Sequence, residues 1–312
     1  MIRIGFIILA HKNPAQLRRL VDRLTSPFTK CFIHIDRKSD IKSFQLAFRD
    51  LDKETYTWLK RERSPWGSFG AIQATINGIK RVLEEKPAYD YIFLLSGQDY
   101  PIKNLTWIQD FLTANNGKNF IEYFPLPHEG WSDGGIERFE YYFFHFSGKW
   151  LAFPLNYYYL LLQKKLKTVF TYPRIFNAKI FTGNPGFWSR FKKKMPSDLK
   201  PYGGAAYWCL SRNAASYIVD FLQRRKDIIR LCKYSMCCDE VFFHTILLNS
   251  YLRDTIINKL IHFIDRSIIA ASILTSDDFK RLSQSDCLFA RKFDYVVDRK
   301  IFDMIDEMTS KQ

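Results

Sequence analysis

Two short segments bring together side chains able to do chemistry. In Cys238-Asp239-Glu240-Val241-Phe242-Phe243-His244, two adjacent carboxylates precede an apolar helical pattern formed by Phe243, Ile246 and Leu247. Asp239 reads as the N-cap and Glu240 as a residue of the first turn, where the free N–H groups of a helix start favour an ionised carboxylate. An ionised Glu at the mouth of a cleft can act as general base on an attacking hydroxyl, although an acidic pair at a helix start is more often only a capping device. In Leu288-Phe289-Ala290-Arg291-Lys292-Phe293, adjacent cations stand among apolar residues instead of on a polar face. Burying them is costly unless an anion compensates. A diphosphate would do so, and so would a strand whose two cations pair with Asp294 or Asp298.

The chain as a whole favours an anionic partner. Its 312 residues are 47% hydrophobic and 25% charged, which excludes a disordered or disulfide-knot chain, and 47 Lys and Arg against 32 Asp and Glu leave a net charge of +15. Nucleic acid, an anionic membrane surface and a phosphorylated substrate all fit that sign. No nucleic-acid recognition motif occurs and the basic residues are dispersed, so nucleic acid is not expected as a partner. Neither G-x-x-x-x-G-K-[ST] nor G-x-G-x-x-G is present to cradle phosphates. Metal-dependent nucleotide-sugar transferases usually carry Asp-x-Asp after an apolar strand, but the literal match here, Asp50-Leu51-Asp52, ends an amphipathic helical pattern. No metal or other cofactor is therefore expected, and a diphosphate would have to be met by Lys and Arg. The six cysteines lack paired C-x-x-C spacing and read as reduced thiols, and the scattered histidines do not suggest zinc. Aromatic residues at 17% exceed what a core requires, so some rings are expected at a ligand cleft or an interface.

These residues need a scaffold, and the first half supplies one by alternating short apolar runs with amphipathic stretches, the pattern of a mostly parallel sheet flanked by helices. Strands are expected at Ile4 to Ala10, Cys31 to Ile35, Tyr56 to Trp58 and Tyr91 to Leu95. Helices are expected after Asn13-Pro14, with Asn13 as N-cap, and from Ala71 to Leu83. The loops that begin at Asp36 and at Ser96-Gly97-Gln98-Asp99 follow strands, where open α/β sheets bind ligands. The middle, from Pro125 to Pro201, has poor periodicity. Within it Trp150 to Leu162, followed by Lys164, Lys165 and Lys167, suggests either an interfacial membrane anchor or a buried helix or hairpin. Helical character returns at Asn213 to Leu222, Asp239 to Leu248 and Ile301 to Met308. No linker is evident, so residues 1–312 read as one domain, with a nucleotide-binding half at 1–124 and an acceptor-binding and catalytic half at 125–312. The N-terminus has no cationic leader and no apolar stretch reaches the ~18 to 20 residues needed to span a bilayer, so a cytoplasmic location is expected.

Spaced segments along the chain resemble the core-2/I-branching N-acetylglucosaminyltransferase family, glycosyltransferase family 14, which includes peptide O-xylosyltransferases. They are Leu9-Ala10-His11-Lys12, His34-Ile35-Asp36-Arg37-Lys38-Ser39, Trp66-Gly67, Leu95-Ser96-Gly97-Gln98-Asp99-Tyr100-Pro101, and Asp239-Glu240 with Phe289-Ala290-Arg291-Lys292-Phe293. The resemblance implies a GT-A fold and an inverting, metal-independent transfer of a sugar from a UDP donor to an acceptor hydroxyl. It places the catalytic base on Glu240 and a diphosphate contact on Lys292, aided by Arg291 or Arg266. His11, Asp36, Trp66, Gly67, Gln98 and Asp99 would line the donor pocket, while Glu122, Arg138 and Asp239 would face the acceptor. Animal members carry a membrane anchor, a stem and disulfides. The departure from that pattern leads us to expect a bacterial-type, cytoplasmic member acting on a glycan precursor, with a lipid-linked acceptor and a peripheral contact with an anionic leaflet. The competing expectations are a basic nucleic-acid-binding protein and a membrane-surface protein without catalysis.

Overall fold

The computed structural model describes residues 1–146, 149–154, 190–265 and 272–311. The first four strands are β1 (Ile4–Ala10), β2 (Thr29–Ile35), β3 (Tyr56–Trp58) and β4 (Tyr91–Ser96), and they follow the expected apolar runs to within two residues. Next come β5 (Asp99–Pro101), β6 (Asn119–Ile121), β7 (Phe124–Pro125), β8 (Tyr142–Phe146), β9 (Lys149–Phe153) and β10 (Tyr202–Gly203). The remaining described strands are β11 (Trp208–Ser211), β12 (Ile256–Ile257), β13 (His262–Ile264) and β14 (Phe289–Arg291).

Seven of them build the main sheet in the order β12-β6-β11-β4-β1-β2-β3. All neighbours in it are parallel except those of β11, which runs antiparallel to β4 and β6. Renumbered within this sheet from the β3 edge, the order is 3-2-1-4-6-5-7 with the sixth strand reversed, and the chain adopts the α/β, GT-A type fold expected of it. Sheet residues alternate between two apolar layers, as a period of two requires. Ile7, Phe32, Ile92 and Leu210 face one layer, with helices Phe69–Glu84, Arg212–Arg224 and Phe242–Leu248. Phe6, Ile33, Phe93 and Cys209 face the other, with helices Pro14–Leu24 and Lys300–Ser310. Because both faces are covered, the central strands read as continuous apolar runs, and each fully buried Ile or Phe contributes roughly 1.5–3 kcal/mol.

Three details bear on the site. A small sheet, β13-β14-β5, carries the Arg291-Lys292 segment back to the end of β4, with Arg291 opposite Asp99. The helix after Asn13 begins at Pro14 as expected, but Asn13 is not its side-chain cap: it is left-handed at φ 55° and donates its amide to Asp294 at 2.9 Å. Trp150 to Phe153 belong to the β8–β9 hairpin, with Trp150 opposite His145, whereas residues 155–162 of the suggested anchor lie outside the described residues. Among the described residues, no helix is long and apolar enough to cross a membrane. All six cysteines are free thiols.

Candidate active site

The carboxyl ends of β1, β2 and β4 lie side by side, and each leads into a loop fixed by its own hydrogen bonds. Asp36, 7% exposed, accepts from Lys38 N at 2.7 Å and from Ser64 N and Oγ, both at 2.7 Å. Burial would raise its pKa, but the bonds from Ser64 and Lys38 prevail and hold it below the usual carboxylate range. Ser39 Oγ then donates to the His11 carbonyl at 2.6 Å, bracing the β1 loop against the β2 loop. His11 is pushed below the ordinary imidazole value by burial and by Lys12 and Lys292, so it stands neutral beside two cations. Lys12 is paired with Asp294 at 2.6 Å. Lys292 has no ion-pair partner among the described residues, and burial with Arg291 and Lys12 pushes its pKa down. An anionic ligand would relieve that repulsion.

Arg291 is held differently. Its Nε donates to Asp99 Oδ1 at 3.0 Å, and its guanidinium carbon lies 4.2 Å from the centre of the Tyr207 ring. Asp99 is fully buried and also accepts from Ser96 N and Oγ, both at 2.7 Å, with His262 Nε2 at 3.4 Å. Burial alone would raise the Asp99 pKa, but Arg291 and His262 keep the carboxyl ionised. Of the two readings open for the adjacent cations, pairing is therefore true of Arg291. Its partner is Asp99 and not Asp294 or Asp298, which bind Lys12 and Ser276. Gln98 donates to the Phe293 carbonyl at 3.2 Å and accepts Phe293 N on its own carbonyl at 2.8 Å, tying the Lys292 backbone to the β4 loop. Asp99 and the Gln98 amide thus hold the Arg291–Phe293 segment against the loop after β4.

Around Glu240 the local structure departs from the expected helix start. Cys238–Glu240 form a 3-10 turn, Val241 breaks the spiral at φ −133°, and the α-helix begins only at Phe242. Asp239 caps nothing. It is partly buried, and burial together with the charge of Glu240 pushes its pKa up to about 6. What holds Glu240 is a side chain: Arg138 donates to Glu240 Oε2 at 2.7 Å. Arg138 also donates to Glu137 Oε1 at 2.6 Å and to the Cys237 carbonyl at 3.3 Å.

Two glycines make this turn feasible. Gly67, at φ +71°, accepts Cys237 N on its carbonyl at 2.8 Å, and a Cβ on it would lie 3.1 Å from Cys237 Sγ. The preceding Trp66 is 75% exposed beside this contact. Gly204 donates to the Glu240 carbonyl at 2.9 Å, and a Cβ there would come 1.9 Å from the Glu122 carbonyl. Glu122 therefore reaches the neighbourhood through its backbone. The two groups of residues are linked electrostatically at Arg291: burial opposes its charge, Tyr207 and Asp99 sustain it, and Asp239 adds to their field.

Behind the turn lies His244, fully buried, with Nε2 at 3.0 Å from the Ala205 carbonyl. Burial pushes it down to about 4, against 6.5 for a free imidazole. The unfolded chain therefore takes up this proton first as pH falls, and stability is lost between about pH 6.5 and 4. His244→Gln, which can keep the bond to Ala205, is expected to remove on the order of 1–3 kcal/mol of that acid sensitivity. Urea denaturation at pH 7 and pH 4.5 measures it, and an unchanged difference between the two pH values would contradict the assignment.

A comparison with protein families now bears on this geometry: the Core-2/I-Branching enzyme model matches residues 4–143 and 163–283. The chain belongs to the Core-2/I-branching enzyme family. Among its relatives, xylosyltransferase oxt of Drosophila pseudoobscura pseudoobscura is 22% identical over 333 residues, covering 98% of this chain and 33% of that protein. Human xylosyltransferase 2 is 21% identical over 332 residues, with the same coverage of 98% and 33%. The human "probable beta-1,3-galactosyl-O-glycosyl-glycoprotein beta-1,6-N-acetylglucosaminyltransferase 7" is 26% identical over 234 residues, covering 72% of this chain and 46% of its own. This Core-2/I-branching chain spans about a third of the length of the xylosyltransferases it matches. Likeness to solved structures is looser. A 4-diphosphocytidyl-2C-methyl-D-erythritolsynthase from Anaerococcus prevotii overlaps 42% of this chain and 61% of its own at 13% identity with a TM-score of 0.28, too loose to carry an argument.

Within this family member the structure brings His11, Asp36, Gln98, Asp99, Arg291 and Lys292 to one set of strand ends. Asp239, Glu240, Arg138, Gly67 and Trp66 gather in an adjoining group, with Glu122 touching it by its backbone. Arg266 lies outside the described residues. Sequence reading missed Lys12, Glu137, Tyr207 and His262 as site residues. Lys12 stood inside the segment singled out for His11, so a signal existed. Glu137 stands next to Arg138 in sequence, whereas His262 had no signal, because only folding places it against Asp99.

Proposed function

We propose that this chain is an inverting glycosyltransferase that moves a sugar, GlcNAc or xylose, from a UDP donor to a hydroxyl of a glycan acceptor without a divalent metal. Glu240 deprotonates the acceptor hydroxyl, whose oxygen attacks the anomeric carbon from the face opposite UDP. The bond to the donor oxygen breaks as the new bond forms, and Lys292 stabilises the negative charge gathering on the leaving diphosphate. One observation carries this reading: Arg138 binds Glu240 at 2.7 Å, the neighbouring Asp239 acts on Arg291, and Lys292, next to Arg291, is a cation with no ion-pair partner among the described residues. The names of the relatives, xylosyl- and N-acetylglucosaminyltransferases, support the same chemistry and the choice of donors. Metal independence is supported by Lys292, a cation with no ion-pair partner among the described residues that can meet the diphosphate charge itself.

The reading extends to an acceptor that is a glycan or lipid-linked glycan in cell-surface polysaccharide or lipopolysaccharide synthesis. The +15 charge would favour a peripheral place at the anionic inner face of the cytoplasmic membrane. A transfer and hydrolysis screen of UDP-GlcNAc, UDP-xylose, UDP-glucose and UDP-galactose, with and without EDTA, tests the reaction. One donor should be consumed at a rate the chelator leaves unchanged. Loss of activity in EDTA that manganese restores would overturn metal independence, and inertness toward every UDP-sugar would overturn the donor class.

A further inference from the structure

Arg138 serves two carboxylates at once, and its freedom to choose between them is small. One terminal nitrogen donates to Glu137 at 2.6 Å, the other to Glu240 at 2.7 Å, and Nε to the Cys237 carbonyl at 3.3 Å. The guanidinium carbon lies 4.1 Å from the centre of the Trp131 ring. Its backbone is fixed as well: the Arg138 carbonyl accepts from Lys193 Nζ at 3.1 Å and from Ser235 Oγ at 2.5 Å. Lys193 is only 7% exposed and donates further to Ser235 Oγ and the Leu231 carbonyl. With the geometry locked, the remaining variable is how the single positive charge is divided.

That division matters for a base. A guanidinium committed to one carboxylate lowers its proton affinity by roughly one to three pH units, and a weaker base is a poorer proton acceptor. Glu137 opposes such commitment from a side chain 6% exposed. Its second oxygen, Oε2, is buried with no hydrogen-bond partner, so Arg138 is the group that compensates its charge. We propose that Glu137 is a positioning residue for the transfer reaction: by sharing Arg138 with Glu240 it keeps Glu240 basic enough to accept the acceptor's proton. This inference rests on Glu240 being the base.

Burial pushes Glu137 up to about 7, Arg138 opposing, so it is ionised above neutrality and protonated below. The charged groups facing it are Arg138, Asp133 and Glu240, with Asp239 next to Glu240 and Lys193 behind the Arg138 carbonyl. As pH falls through 7, Glu137 takes a proton, the Arg138 charge falls wholly on Glu240, and kcat declines. Glu137→Gln makes that neutral state permanent.

The test is the pH profile of kcat for the full chain with its UDP-sugar donor. Glu137→Gln should lower the alkaline plateau about three- to tenfold, move the acid limb to lower pH and leave the donor KM unchanged. Glu137→Asp, which keeps the charge, should leave the limb at its wild-type position. An unchanged plateau in Glu137→Gln, or a lower plateau with the limb unmoved, overturns the proposal. Should Glu137→Gln fail to fold, a displaced limb in Glu137→Asp overturns it and an undisplaced limb supports it. Glu240→Gln, run in parallel, separates the two readings. Full turnover there removes the base itself, whereas an inert Glu240→Gln with an unmoved Glu137→Gln limb removes only the role of Glu137.

Discussion

Glu240→Gln is expected to yield a folded protein that binds UDP-sugar normally and turns it over roughly 10² to 10⁴ times more slowly. The amide oxygen of Gln can still accept the 2.7 Å bond from Arg138, so the turn at Cys238–Glu240 keeps its support. What disappears is the proton acceptor. The proposed donor contacts are elsewhere, at Lys292 and the strand-end loops, so the loss should fall on kcat and spare the affinity for UDP. Steady-state transfer assays combined with calorimetric titration of UDP read the two separately. Wild-type turnover in this variant would remove Glu240 from the reaction.

Asp99→Ala should damage stability more than any other single change at the site. It strips the counter-charge from Arg291 and leaves a guanidinium enclosed by Tyr207 and the β14–β5 pairing. Removing one partner of a buried ion pair typically costs about 3–5 kcal/mol, because the survivor has neither water nor a partner. Pairing the change with Arg291→Met should recover part of the loss, since no orphaned charge then remains. Urea denaturation of the three variants gives the comparison. A single variant as stable as wild type, or a double variant less stable than the single, would contradict the assignment.

The residues differ in how much of this arrangement they announced. The runs Ile4 to Ala10 and Tyr91 to Leu95 were legible because both faces of their strands are covered, which leaves no polar positions to obscure the signal. Asp36 and Asp99 could be placed at strand ends for the same reason. The partner of Arg291 could not be read, because Asp294 and Asp298 are near in sequence while Asp99 is 192 positions away and meets Arg291 only through strand register. Glu240 was singled out as a residue, but its setting was misjudged. Phe243, Ile246 and Leu247 do fall on a helix, yet a contact with Gly67 holds Cys237 left-handed at φ 51°, and the turn that results displaces the helix start to Phe242. Periodicity reports the face a segment buries, and it is silent about a loop from elsewhere pressing on its first turn.

The pairing of β5 with β14 has a consequence for how the molecule is made. Strands β1 to β4 and their helices leave the ribosome early and can condense on one another, whereas the partner of Asp99 is translated 192 residues later. Throughout that interval the nascent chain presents an unpaired strand edge and a carboxylate whose counter-ion does not yet exist, a state prone to sticking to its neighbours. Co-translational chaperones would find their target there, and a message cut short before residue 289 would release a product that lacks Arg291 and leaves Asp99 without its counter-ion.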